Sequence, residues 1–188
     1  MRARRRWRPS RLRRVAGALL ALFVAAGCGK GTPAPRESAF QPLAVGDLVP
    51  AFTARTLDGD TVRLGGAQPV TLLNVWATWC TSCREEMADL EAIQRDFAGR
   101  GVRVVAVSVD AGDGQRVRRF VESAHLTFVV GHDPGQRVEQ VYRTVGVPES
   151  FVISREGRLL WRRAGNLHDV VDSVRGTLTA ALGGATAR

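Results

Sequence analysis

The chain has 188 residues, 45% of them hydrophobic, a formal net charge of +9 and three cysteines. The charge suggests a nucleic-acid-binding surface, but its distribution excludes one: eight of the 27 basic residues are arginines before residue 15, with no acid among them. From Cys28 onward 19 basic residues stand against 18 acidic ones, a balance near +1, so the high isoelectric point describes a leader and not a binding face.

That leader has the parts of an export signal. Arg2 to Arg14 form a basic n-region, Val15 to Ala26 an apolar h-region, and Gly27-Cys28 follows. Twelve or so apolar residues reach only about 18 Å as a helix, short of a bilayer core of about 30 Å, so the stretch reads as a signal and not as a mature membrane span. Ala25-Ala26-Gly27-Cys28 resembles a bacterial lipobox, in which small residues precede a cysteine that is lipidated and becomes the new N-terminus. Ala25 departs from the leucine usual at its position. Ordinary signal-peptidase cleavage nearby and a twin-arginine reading of Arg13-Arg14 are the alternatives. The expected organisation is a lipoprotein-type signal peptide over 1–27, a Gly- and Pro-rich flexible tether over 28–43, and one folded domain over 44–188 with no internal repeat. The expected location is the periplasm or cell envelope, with the chain tethered to a membrane by lipid on Cys28.

Within the domain, Val45 to Phe52 reads as an entry segment. Asp58-Gly59 signals a hairpin between Phe52-Thr53-Ala54 and Thr61 to Leu64. Val70 to Trp76 is a continuous apolar run, as a strand covered on both faces should be. Arg84 to Ala98 has helical spacing through Met87, Leu90, Ile93 and Phe97, and Gly99 and Gly101 stop it. Val102 to Val109 is a second buried strand, Gln115 to Ala124 a helix, Thr127 to Val130 a short strand and Gln136 to Tyr142 a short helix. Ser150 to Ile153 and Arg158 to Arg163 form a second hairpin, and His168 to Leu182 a closing helix with Val170, Val171, Val174 and Leu178 inward. This order implies an α/β protein with helices on both faces of a mixed sheet, its earlier strands parallel and the last hairpin antiparallel.

Cys80-Thr81-Ser82-Cys83 lies where the first buried strand meets a helix. Backbone N–H groups at a helix start favour thiolate over thiol, and the two-residue spacing lets the second sulfur close a small disulfide. The pattern suits thiol–disulfide exchange: Cys80 attacks, a mixed disulfide forms and Cys83 resolves it. A structural zinc site would need two further ligands. Cys28 belongs to the leader, and His125, His132 and His168 are scattered, so no metal and no other cofactor is expected. A purely structural disulfide would not call for the helix-start placement or the flanking Trp76 and Trp79.

Asn74-Val75-Trp76-Ala77-Thr78-Trp79-Cys80-Thr81-Ser82-Cys83-Arg84-Glu85-Glu86-Met87 and Gly146-Val147-Pro148-Glu149-Ser150-Phe151-Val152-Ile153 together carry a resemblance. Over roughly residues 44–182 the chain resembles the thioredoxin superfamily, and within it the TlpA/ResA-like exported reductases with an AhpC/TSA-Redoxin-type domain. Gly46 to Phe52 matches that branch and its peroxiredoxin relatives. The resemblance implies a thioredoxin fold with an N-terminal β-hairpin extension and a central strand-helix insert. It implies that Cys80 is the exposed nucleophile, Cys83 the buried resolving thiol, and Val147-Pro148 a cis peptide facing them, with Trp79, Val147 and Pro148 contacting substrate. Plain thioredoxins place a buried aspartate where this chain has Asn74, which takes no proton. Glu86, one helical turn after Cys83, matches the acidic position of the exported branch and is the candidate proton acceptor. Trp76 and Trp79 would exclude water, Arg84 would lower the Cys80 pKa, and Gly165 to His168 would approach the same groove, His168 as a helix-end surface residue.

The expected activity is a protein-disulfide oxidoreductase working as a reductant. It would take electrons from a membrane thiol donor and pass them to cysteines of exported proteins, apocytochrome c among them. Three alternatives stay open: a disulfide oxidase or isomerase of the same fold, a peroxidase, and a Cu(I)-binding chaperone. The residues before Cys80 lack the Pro-x-x-x-Thr-x-x-Cys pattern of peroxiredoxins, and the copper reading lacks a third ligand.

Overall fold

The computed structural model of the protein describes residues 40–183. The expected signal peptide, the lipidation candidate Cys28 and most of the expected tether lie outside them. The described residues fall in one compact unit and are ordered as β1 (Phe52–Thr56), β2 (Thr61–Leu64), β3 (Val70–Trp76), α1 (Thr81–Glu85), α2 (Met87–Phe97), β4 (Val102–Ser108), α3 (Gln115–Ser123), β5 (Val129–His132), α4 (Arg137–Tyr142), β6 (Glu149–Ile153), β7 (Leu159–Ala164), a 3₁₀ turn (His168–Val170) and α5 (Val171–Gly183).

The strands make one sheet in the order β2-β1-β5-β4-β3-β6-β7. β3, β4 and β5 are parallel, whereas β6 and β7 on one flank and β1 and β2 on the other pair antiparallel. The continuous apolar run of β3 has its cause here: every one of its residues is buried, because both neighbours and both faces are covered. β1 and β2, at the sheet's edge, instead alternate buried and exposed residues. Leu90, Ile93 and Phe97 of α2 and Val174 and Leu178 of α5 are buried in the core. Tyr142 links Phe52 and Phe151 through edge-on ring contacts of 6.4 and 5.6 Å. Leu43, just before the folded elements, is buried too, and its carbonyl accepts from Arg162 at 2.9 Å.

Two elements differ from the sequence reading. The helix expected over Arg84 to Ala98 begins at Thr81 and divides at Glu86, whose backbone (φ −80°, ψ −6°) departs from regular helix while its side chain meets buried partners. The strand expected at Thr127 to Val130 starts two residues later. Thr127 is held outside the ladder, its N–H and Oγ1 donating to Glu91 at 2.8 and 2.7 Å. Gly131 then lies within the strand against β1, where an added Cβ would stand 3.0 Å from the Ala54 methyl.

Candidate redox site

Cys80 caps the N-terminus of α1, in extended backbone, with its Sγ accepting from the Cys83 N–H at 3.2 Å. The two sulfurs are joined, 2.10 Å apart. Their surroundings differ. Cys80 keeps 8% of its surface exposed, whereas Cys83 is wholly buried. The Val147 carbonyl oxygen lies 3.7 Å from Cys80 Sγ and the Ser82 hydroxyl 3.5 Å from it. The Val147-Pro148 peptide is cis, and it brings that carbonyl to the disulfide. Cys80 is thus the more accessible of the two sulfurs, and it lies beside a backbone acceptor from the loop before β6.

Behind the disulfide sits a polar cluster. Glu86 is fully buried. Its Oε1 accepts from Asn74 Nδ2 at 2.7 Å and its Oε2 from the Leu167 N–H at 2.8 Å. Burial pushes its pKa up to about 7. The two hydrogen bonds oppose that rise, and the Asp89 carboxylate adds to it. Asn74 stands in the middle of β3 and also donates to Ser150 Oγ of β6 at 2.9 Å. With asparagine at position 74, the titratable group of this cluster is Glu86.

A second cluster fixes the loop that precedes Cys80. Asp110, at the end of β4, accepts from the Thr78 N–H at 2.8 Å, from Thr78 Oγ1 at 2.5 Å and from Ser108 Oγ at 2.8 Å. On the other flank, Asn166 Nδ2 donates to the Ser82 carbonyl at 3.0 Å. His168 is exposed and pairs with Asp89 at 2.8 Å, which holds its pKa above the usual histidine value. The sequence reading brought the 165–168 loop, Asn166 and Leu167 included, to the site without their partners Ser82 and Glu86, and missed Asp110. Contacts between residues so distant in sequence leave no periodic signal, and the Asp110-Thr78 pair becomes visible only once β3 and β4 are aligned.

Three expected residues take other positions. Trp76 is not at the rim: it is fully buried, with its ring 5.3 Å from Phe120. Trp79 is at the rim but 59% exposed, so it offers a surface and does not seal one. Arg84 turns to the Thr78 carbonyl at 2.7 Å and Thr81 Oγ1 at 3.3 Å, where it braces the loop.

Residues 45–162 match the AhpC/TSA family. The chain belongs to that family. The chain is 33% identical over 120 residues to the thiol-disulfide oxidoreductase ResA of Oceanobacillus iheyensis, a match covering 61% of this chain and 62% of that one. It is 32% identical over 132 residues to the thiol:disulfide interchange protein DsbE of Yersinia pestis, covering 68% of each. A crystal structure described as a DsbE-type interchange protein from Chlorobium tepidum superposes with a TM-score of 0.68 at 29% identity, over 74% of this chain and 99% of that one. This AhpC/TSA member has the thioredoxin fold, with its Cys-x-x-Cys pair at disulfide distance as in a thiol–disulfide oxidoreductase.

Proposed function

We propose that this protein is an exported thiol–disulfide oxidoreductase that reduces disulfides in other exported proteins, apocytochrome c being one fitting client. The observation that carries the reading is the unequal burial of the pair: Cys80 is open to an incoming disulfide and Cys83 is enclosed, with a buried carboxyl group one turn further on. In the reduced protein the Cys80 thiolate is favoured by the Cys83 N–H. It attacks one sulfur of the client disulfide, the other client sulfur leaves as thiolate, and a mixed disulfide forms. Glu86 takes the proton from Cys83, whose thiolate attacks Cys80 Sγ and releases the second client sulfur. Two electrons pass to the client, one of its protons comes from Glu86 and the other from solvent, and the Cys80–Cys83 bond remains. A membrane thiol donor would return two electrons to that bond.

The geometry supports substrate contact along the Val147 carbonyl, where an extended segment can pair as a strand would, with Trp79 as an apolar neighbour. Lipid attachment at Cys28 would hold the domain at the outer face of a membrane. Among the described residues no helix is long and apolar enough to cross one. Mass spectrometry of the mature N-terminus tests the anchor. The reduction potential of the pair tests the direction of electron flow. A value below about −220 mV supports a reductase with its own electron supply, and one above about −150 mV makes the protein an oxidant or isomerase. Replacing Cys83 by Ser should trap client on Cys80, and a failure to trap any thiol protein counts against the exchange mechanism.

A further inference from the structure

Charged side chains flank the disulfide on both sides, and unpaired arginines stand on one of them. Trp76 of β3 pairs with Ser108 of β4, Val75 of β3 pairs with Glu149, and Glu149 pairs with Ala164 of β7. β4 and β7 both run in the direction of β3, so the loops leaving all three strands emerge at one sheet edge, with the Cys80–Cys83 loop in the middle. The loop after β4 leads into α3, and the loop after β7 leads to Asn166 and the last helix.

On the β4 side a cleft of about 360 Å³ opens beside Trp79. Arg116 and Arg119 of α3 line it, three residues apart and therefore on one helical face. Both are exposed, and neither guanidinium has an ion-pair or hydrogen-bond partner among the described residues. Arg118, between them in sequence, is by contrast engaged by Asp58 and the Leu57 carbonyl. Two carboxylates, Asp110 and Asp113, share the cleft and keep their charge, because their hydrogen-bond donors are neutral. Asp110 is buried and bonded to Thr78 and Ser108, and Asp113 accepts the Gln115 N–H at 3.1 Å, capping α3. α3 enters through Gly114, whose φ of +77° and closeness to His132 Nδ1 (2.9 Å from an added Cβ) fix where the two arginines are carried. On the β7 side the rim carries Glu85 and Asp169, together with Asn166 and with His168, which is paired to Asp89.

We propose that the Arg116/Arg119 cleft seats an acidic side chain of the client polypeptide, so that the protein selects disulfides with a carboxylate close to the reacting cysteine. Two free guanidiniums three residues apart suit charge-assisted, two-pronged recognition of a carboxylate. Trp79 supplies apolar contact between that carboxylate and the sulfur. The acidic rim across the disulfide repels the same segment laid in the opposite direction, so the charge pattern sets the client's orientation and its encounter rate. This inference rests on the proposed exchange activity and names the substrate class for that site.

The test uses the purified protein, recycled by dithiothreitol, and three peptide disulfides whose cysteine is flanked by Glu, by Gln or by Lys. Hydroxyethyl disulfide, which carries no charge, serves as a fourth substrate. At low ionic strength kcat/KM for the Glu peptide should exceed that for the Gln peptide about tenfold, the scale of one charge-assisted contact, with the Lys peptide lowest. The Glu-to-Gln ratio should fall towards one in R116Q/R119Q, invert in R116E/R119E, and shrink as salt shortens the screening length. Equal kcat/KM for the Glu and Gln peptides, with hydroxyethyl disulfide still reduced, overturns the cleft assignment alone. A Glu preference that survives in R116Q/R119Q overturns it as well. Failure to reduce any of the four substrates overturns the exchange activity and this inference with it.

Discussion

Asn74 and Glu86 meet inside the protein, Nδ2 to Oε1 at 2.7 Å, with both side chains fully buried. An amide cannot neutralise a carboxylate, so burial dominates and the Glu86 pKa rises from 4.5 to about 7. The folded protein therefore binds a proton more tightly at this position than the unfolded chain does. The associated stability is fully present below pH 4.5 and is lost as pH rises through 7. The loss is on the order of 3 kcal/mol. Urea denaturation of the oxidised wild-type protein and of E86Q, at several pH values between 4 and 8, measures it. The wild type should lose stability relative to E86Q across that window. Parallel pH profiles for the two proteins would show that Glu86 is not the group described.

Asp89 lies one turn further along α2 and raises the Glu86 pKa by like charge, while its own carboxylate pairs with His168 at 2.8 Å. Removing that charge in D89N should move the Glu86 titration to lower pH. The His168 pKa should fall in the same variant, because Asp89 is the main group holding it up. Both shifts can be followed in one experiment, by NMR titration of the Glu86 carboxyl carbon and the His168 ring. A Glu86 midpoint that rises or stays fixed in D89N contradicts the assignment.

How much of this was legible in the sequence depends on the range of the interaction. β3 reads directly as a buried strand because every residue from Val70 to Trp76 is covered. The dithiol is visible as a motif of short, fixed spacing, whereas Glu86 and Pro148 stood out through the resemblance to the exported thioredoxin-like branch. The division of the helix at Glu86 is not visible, since Arg84 to Phe97 keeps its apolar period through the break. Trp76 and Trp79 look alike as flanking aromatics, yet strand alternation sends the first into the core against Phe120 and the loop turns the second outward. The start of β5 was misplaced because Thr127 has strand propensity but bonds to Glu91, a contact 36 residues away.

Asp110 offers a check on the loop before the cysteines. Both its carboxylate oxygens are used, by the Thr78 N–H, Thr78 Oγ1 and Ser108 Oγ. Asparagine at this position retains one acceptor oxygen and turns an NH₂ towards a donor. D110N should therefore lose about 1–3 kcal/mol in equilibrium denaturation, the penalty for a buried polar group left unsatisfied. The same variant should slow alkylation-competent presentation of Cys80, because Thr78 positions the chain two residues ahead of it. T78A should lose less, since the backbone N–H contact survives. A T78A variant less stable than D110N would place the anchor elsewhere.

Glu149, directly after Pro148, is a second fully buried carboxylate, but it has a cation. Arg162 of β7 pairs with it, and the Val145 N–H donates to its other oxygen at 2.8 Å. The pair ties the cis-proline loop to the strand beside it. Arg162 also donates to the Leu43 carbonyl at 2.9 Å and lies over the Phe151 ring at 5.6 Å. Removing only the cation strands a buried negative charge. R162M should therefore cost about 3–5 kcal/mol in urea denaturation at pH 7.5. The double variant R162M/E149Q removes the stranded charge and should recover a substantial part of that loss, although Arg162 alone supplies the Leu43 contact. If the double variant is as unstable as R162M at pH 7.5, the Arg162 contribution is packing and the ion pair is not what holds the proline loop in place.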